Sequence, residues 1–335
     1  MRKIMIFMKP FRLLICGLAL MTCVACDDDD EIGSYNVGSM VIETESGDQL
    51  LVTSVGSLQY EYDDDGVLTY FYDGDAFDVT NNGTTFTYTD SYGTETCQLT
   101  LNGNGYITKC VNEGTYEGKS YSETWKETGN LSYDGSGHLT KVTGSYTSTE
   151  IWDDEKYNYS ASFSWTCTWS DGLLTSAVIY EMEDDEDEGE EYEYTETFEY
   201  DYGSYDYPNA YCQFAPAIWG DPDSRFLQLS YIGMAGVGPT YLPSTVEYTE
   251  TEEEGGKTYS YDGSSSYKFS FNSDGTISYQ TNAKGSNKKS FTYEEYTGIM
   301  TRAYAAVTED EEILEAGTES VSHLRFFGRR HRNRH

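Results

Sequence analysis

A chain of 335 residues carrying 58 acidic and 21 basic side chains has a formal net charge of −37 at neutral pH. That field excludes nucleic acid as a natural partner, because phosphate backbones seek basic surfaces. Aromatics make up 15% of the chain and tyrosine alone contributes 32 residues, which excludes a disordered polymer and points to strands with half-buried faces.

The first element is a targeting segment. Arg2, Lys3, Lys9 and Arg12 precede the apolar run Leu13 to Ala25, which is too short to span a bilayer and fits a secretory signal over residues 1–25. Ala25 followed by Cys26 resembles a bacterial lipobox, with Cys23 standing where leucine is usual. The resemblance implies cleavage before Cys26, lipid attachment at that cysteine, and stable anchoring of the chain to a membrane through its acyl chains. Residues 26–35 then form an acidic tether. Its Asp27-Asp28-Asp29-Asp30-Glu31 run resembles the signal that sends Bacteroidota lipoproteins to the outer face of the outer membrane. The expected location is therefore the cell surface, lipid-anchored at the outer membrane.

Over residues 36–296 the chain reads as a repeat-built β domain. Tyr60-Glu61-Tyr62-Asp63-Asp64-Asp65-Gly66-Val67-Leu68-Thr69 sets the pattern, and copies carry their turn glycines at Gly105, Gly137, Gly172 and Gly275, with a decayed one at Gly203. The period of about 35 residues implies a recurring hairpin unit, in which Asp or Asn tolerates the turn and Gly takes a positive φ. A calcium-loop reading fails, because an acid is required at loop position 12 and Tyr72 and Val111 stand there. The fold class is all-β: an antiparallel meander of hairpins forming a curved sheet, open barrel or sandwich. In the Asn102–Gly105 hairpin, pairing Leu101 with Tyr106 places Cys97 directly across from Cys110, which predicts a disulfide. Cys167 alternates with Phe163, Trp165 and Trp169 and reads as a buried thiol.

The pattern breaks between Pro208 and Pro243, a proline-rich, weakly charged and aromatic stretch that predicts a short helical or irregular crossover. Asp223 is the expected N-cap of a short helix. Two roles are open. The segment is a ligand surface, with Trp219, Tyr231 and Tyr241 as the candidates, or it is a crossover that plugs the open end of the sheet. The sequence favours the plug.

The run Leu229-Ser230-Tyr231-Ile232-Gly233-Met234-Ala235-Gly236 through Leu242-Pro243-Ser244, with the Phe269-Ser270-Phe271-Asn272-Ser273-Asp274-Gly275 hairpin after it, resembles a family of Bacteroidota lipoproteins that share a domain of unknown function. Thr245 stands where that pattern has lysine. The resemblance covers residues 58 to 296 and implies no activity. The hairpins are also similar to the tyrosine–aspartate repeats of Rhs-type shell proteins, which recur at a shorter period.

Glu183–Glu191 and Glu250–Glu254 sit between alternating runs and are expected at solvated hairpin tips. Residues 297–335 hold a short helix over 301–316 and a tail with five arginines, Arg325, Arg329, Arg330, Arg332 and Arg334. Such a tail has the charge to dock on the acidic body or on lipopolysaccharide phosphates, but its terminal place predicts fraying. The four histidines, His138, His323, His331 and His335, fall in a turn and in the tail region, which points away from Ser-His-Asp, Cys-His or zinc chemistry. No catalytic residue, metal or cofactor is expected. The functions in view are a non-catalytic binding or adhesion module, with a glycan as partner; a structural envelope subunit; or a carbohydrate-active enzyme.

Overall fold

The computed structural model describes residues 41–152, 155–185, 190–219, 224–254, 256–296 and Phe327. Cys26, the acidic tether, Asp223, the 301–316 segment and the three tail histidines lie outside the described residues.

Six short strands come first: β1 (Ile42–Glu43), β2 (Gln49–Val55), β3 (Leu58–Tyr62), β4 (Leu68–Tyr72), β5 (Ala76–Thr80) and β6 (Thr85–Thr89). The next strands are longer: β7 (Gly93–Leu101), β8 (Ile107–Glu117), β9 (Tyr121–Tyr133), β10 (Leu139–Trp152), β11 (Glu155–Ser170), β12 (Leu173–Asp185) and β13 (Glu190–Asp201). After the crossover come β14 (Thr245–Glu254), β15 (Lys257–Phe271), β16 (Ile277–Asn282) and β17 (Lys289–Glu295). Each strand from β2 to β17 pairs antiparallel with its chain neighbour, and β17 returns to β2, with Phe291 opposite Val55. Among the described residues, sixteen strands thus close one all-β barrel, and β1 adds beside β2 through Ile42 and Leu50. The sequence left a curved sheet, an open barrel or a sandwich in view, and the structure is a barrel that closes. Closure removes the sheet edges over the height of the short strands, while Lys257–Ser265 of β15 ladder on one side only, with β14.

Local chemistry explains the hairpins. Asn102 Oδ1 accepts from the N–H groups of Asn104 (2.9 Å) and Tyr106 (3.1 Å), and Gly105 follows at φ +80. Asp63 and Asp134 make the same pair of bonds in their turns. Since strand direction alternates, the repeat turns between β3 and β4, β7 and β8, β9 and β10, β11 and β12, and β15 and β16 all fall at one end of the barrel.

Away from the bulges beside the repeat turns, the wall alternates. On β9, Glu123, Trp125, Glu127, Gly129 and Leu131 face inward, while Thr124, Lys126 and Asn130 face out. On β11, Ala161, Phe163, Trp165 and Cys167 face inward, with Ser162, Thr166 and Thr168 outside. On these two strands the outer face is threonine, serine, lysine and asparagine, while Ile151 on β10 and Met182 on β12 are exposed apolar residues at outward positions. A lipid-facing barrel shows the reverse, an apolar band outside and a polar lumen.

One register expectation needs correction. A bulge between Thr100 and Leu101 shifts the β7–β8 ladder, so Cys97 faces Asn112 and Cys110 faces Leu99. The two cysteines are diagonal neighbours, buried free thiols with Sγ atoms 3.5 Å apart. Burial pushes the Cys110 thiol well above the usual range. Cys167 is also buried and free, its thiol pushed up to about 12 by burial.

The 202–244 connection fills the lumen. Val237 N–H donates to Gly137 O and Thr240 N–H to Gly172 O, which lays it across the repeat-turn end. Deeper in, it forms a 3-10 turn (Pro216–Ile218) and a helix, α1 (Arg225–Ser230). The helix cap is Ser224, whose Oγ accepts from Leu227 N–H, one residue beyond the expected Asp223. Wall groups hold the plug from all sides: Tyr60 O–H donates to Gln228 O, Tyr200 O–H to Ile218 O, and Gln280 Oε1 accepts from Ala217 N–H.

Burial raises the pKa of Tyr60, Tyr62, Tyr133, Tyr202 and Tyr293 above the ordinary 10.0. These phenols stay protonated in the folded state where they would ionise in the unfolded one. Their linkage is thus absent below pH 10.0, and stability falls as pH rises above it. We expect alkaline unfolding in which tyrosinate absorbance and loss of β-structure appear together; tyrosinate absorbance complete before any loss of circular dichroism would contradict the burial.

Candidate functional site

The short wall of β2 to β6 and the tall wall of β9 to β15 make the barrel lopsided. A cavity of about 990 Å³ lies inside the tall side. Trp219 and Leu227 of the plug line it, together with Phe163, Trp165 and Phe198 of the wall and Phe327. Three carboxylates join them, Glu181 on β12, Glu196 on β13 and Glu250 on β14. Glu196 and Glu250 are direct cross-strand partners, and Glu181 faces Tyr194, two residues from Glu196. Opposed like charges on one face are unfavourable alone and favour a cationic or hydrogen-bond-donating neighbour. Across the cavity stand Ser264, Ser265 and Ser266 of β15, Lys284 and Lys288 of the β16–β17 turn, and Lys289 at the start of β17. Lys288 Nζ lies 4.2 Å over the Tyr279 ring.

The floor is rigid. Trp219 stacks on Phe214 at 5.5 Å and donates from Nε1 to Ser230 Oγ at 3.2 Å. Arg225, 1% exposed, donates from Nε to Asp73 Oδ2 at 2.9 Å and from Nη1 to Glu95, while its guanidinium lies 4.2 Å over the Phe77 ring. Burial lowers the Arg225 pKa, but Glu95 and Asp73 outweigh it and raise the group above its ordinary value. Higher on the inner wall, Glu123 accepts from Tyr121 O–H (2.7 Å) and Tyr146 O–H (3.1 Å), and burial raises its carboxyl above 4.5.

Of the ligand-surface candidates, Trp219 lines the cavity. Tyr231 is 2% exposed and packs against Phe291 at 6.5 Å, so it is core. Tyr241 packs against Tyr205 at 5.2 Å, next to Thr240 and the repeat turns, away from the cavity. The structure does not bring these three together. The inward carboxylates went unread, although the signal was present. In Tyr194-Thr195-Glu196-Thr197-Phe198 the glutamate shares its phase with two aromatics, and Glu127 shares its phase with Trp125 and Leu131.

His138 stacks on Trp169 at 4.2 Å and pairs with Asp134 at 3.2 Å in its turn. Among the described residues, no group of three His, Cys, Asp or Glu stands in a metal-holding arrangement.

No protein-family model and no curated protein matches the chain. Among solved structures, a porin-like protein from Bacteroides uniformis is similar over 76% of this chain and 93% of its own, at 15% identity and a TM-score of 0.34. A likeness this distant carries no weight for function. The chain's own geometry shows an all-β barrel, the broad class to which outer-membrane barrels also belong.

Proposed function

We propose that the chain is a surface-exposed lipoprotein of the outer membrane, anchored at Cys26, whose barrel is a non-catalytic binding module for a glycan. The observation that carries the binding reading is the cavity itself, with aromatic faces beside carboxylates and a serine row. Sugars present the complementary mix: apolar ring faces for Trp219 and Tyr267, and hydroxyls for the carboxylates and serines. The polar outer face supports anchoring through acyl chains rather than through the wall.

A chain begun at Gly33, screened on a glycan array, is expected to retain a ligand, and Tyr267→Ala with Glu250→Gln is expected to weaken it at least about tenfold. An array silent for the wild-type chain moves the reading to a structural envelope subunit. Metabolic labelling with a palmitate analogue tests the anchor: Cys26→Ser is expected to lose both label and envelope retention.

A further inference from the structure

Phe327 lies in the segment expected to fray, yet it is 2% exposed. Its ring sits among Phe163 (5.4 Å), Trp165 (6.0 Å) and Phe226 (5.4 Å), and its backbone N–H donates to Glu127 Oε1 at 3.0 Å. The seat is built into the wall. Gly129 and Gly144 are direct partners on β9 and β10, and a Cβ at Gly129 would come within 2.2 Å of the Phe327 ring. Elsewhere the wall covers its own glycines: Trp125 lies over Gly114, Phe163 over Gly144 and Tyr248 over Gly263, each from the directly opposed position. At Gly129 the opposed residues are Cys110 and Gly144, so the covering ring comes from the far end of the chain.

The charges agree with the seat. Four inward-facing carboxylates, Glu123, Glu127, Glu181 and Glu196, are buried in this lumen. The residues bonded in sequence to Phe327 carry Arg325, Arg329 and Arg330 within three positions, with Arg332 and Arg334 beyond. Buried carboxylates are stable when cations meet them.

We propose that the basic C-terminal segment 325–334 is an intramolecular ligand of the barrel, anchored by Phe327 in the Gly129–Gly144 dent and matched in charge to the acidic inner wall. The inner surface thus selects a cationic peptide bearing an aromatic anchor, and the chain carries that peptide itself. Phe327 also lines the cavity. The inference stands whether or not the cavity binds a glycan.

Timed trypsin digestion of the full-length chain, read by mass spectrometry of C-terminal fragments cut after Arg325, Arg329 and Arg330, tests it. Cutting in the wild type is expected to be slower than in Phe327→Ala and Gly129→Ala by at least about tenfold, the penalty of losing a buried aromatic anchor. Phe327→Ala leaves every wall residue in place, so it carries the test should Gly129→Ala not fold. Equal cutting rates in the wild type and Phe327→Ala overturn the proposal. So does protection that fades on dilution, because the ligand would then be the tail of a second copy.

Discussion

Arg225→Ala is expected to lower the free energy of unfolding by about 3–5 kcal/mol, the cost of breaking a buried ion pair on one side. Arg225 sits at the start of α1 and ties the plug to two separate parts of the wall, Asp73 in the β4–β5 turn and Glu95 on β7. Both carboxylates are nearly as buried as the guanidinium, at 2% and 3% exposure. Without it they remain as uncompensated charge in the lumen, and the face of Phe77 loses its cation. Thermal or denaturant unfolding measures the loss. The mechanism makes a second demand: Arg225→Met with Asp73→Asn and Glu95→Gln should recover most of the stability, because no charge is then stranded. A triple variant as unstable as Arg225→Ala would show that shape rather than charge pairing holds the plug.

Phe226→Ala is the second large effect, about 3–5 kcal/mol for an aromatic with no exposed surface. Its ring meets Trp165 of the wall at 5.5 Å and Phe327 at 5.4 Å, so one truncation opens space between plug, wall and tail. The melting temperature should fall on the order of 10 °C. Tyr261, exposed at 60% on β15, is the control, and Tyr261→Ala should stay within about 0.5 kcal/mol of the wild type. A Phe226→Ala loss no larger than that control would mean the plug is loosely seated.

Much of the wall was legible in the chain because its signals are local. An Asp or Asn with glycine three residues on closes a turn through its own side chain, and the flanking aromatics alternate with period two. Asp63 with Gly66 and Asn102 with Gly105 say as much alone. The Cys97–Cys110 register was misplaced by one bulge. The extra residue shifts the phase within β8, where Ile107 and Cys110, three apart, are both buried, and only the pairing against β7 shows where it sits. The helix cap moved from Asp223 to Ser224 for a similar reason, since both residue types accept the same backbone bond.

The candidate site was less legible. Trp219 was marked by its unusual segment, but Tyr231 and Tyr241 shared that mark and went elsewhere, one into the core and one to the repeat-turn end. Which aromatics of a plug face a cavity depends on how the plug is rotated inside the ring, and contacts from distant strands set that rotation. Phe327 is the extreme case. Nothing near it in the chain announces burial, and its seat is a pair of glycines nearly 200 residues away.

By itself the sequence determined the hairpins, the all-β class, the acidic surface and the place where the meander is interrupted, because turn chemistry and alternation act between residues a few positions apart. The tertiary structure decided that sixteen strands close into a ring, that the interruption folds inward, and that glutamates in phase with aromatics face a shared lumen. Those outcomes depend on which residues far apart in the chain share one enclosed space, where burial and charge pairing are settled collectively.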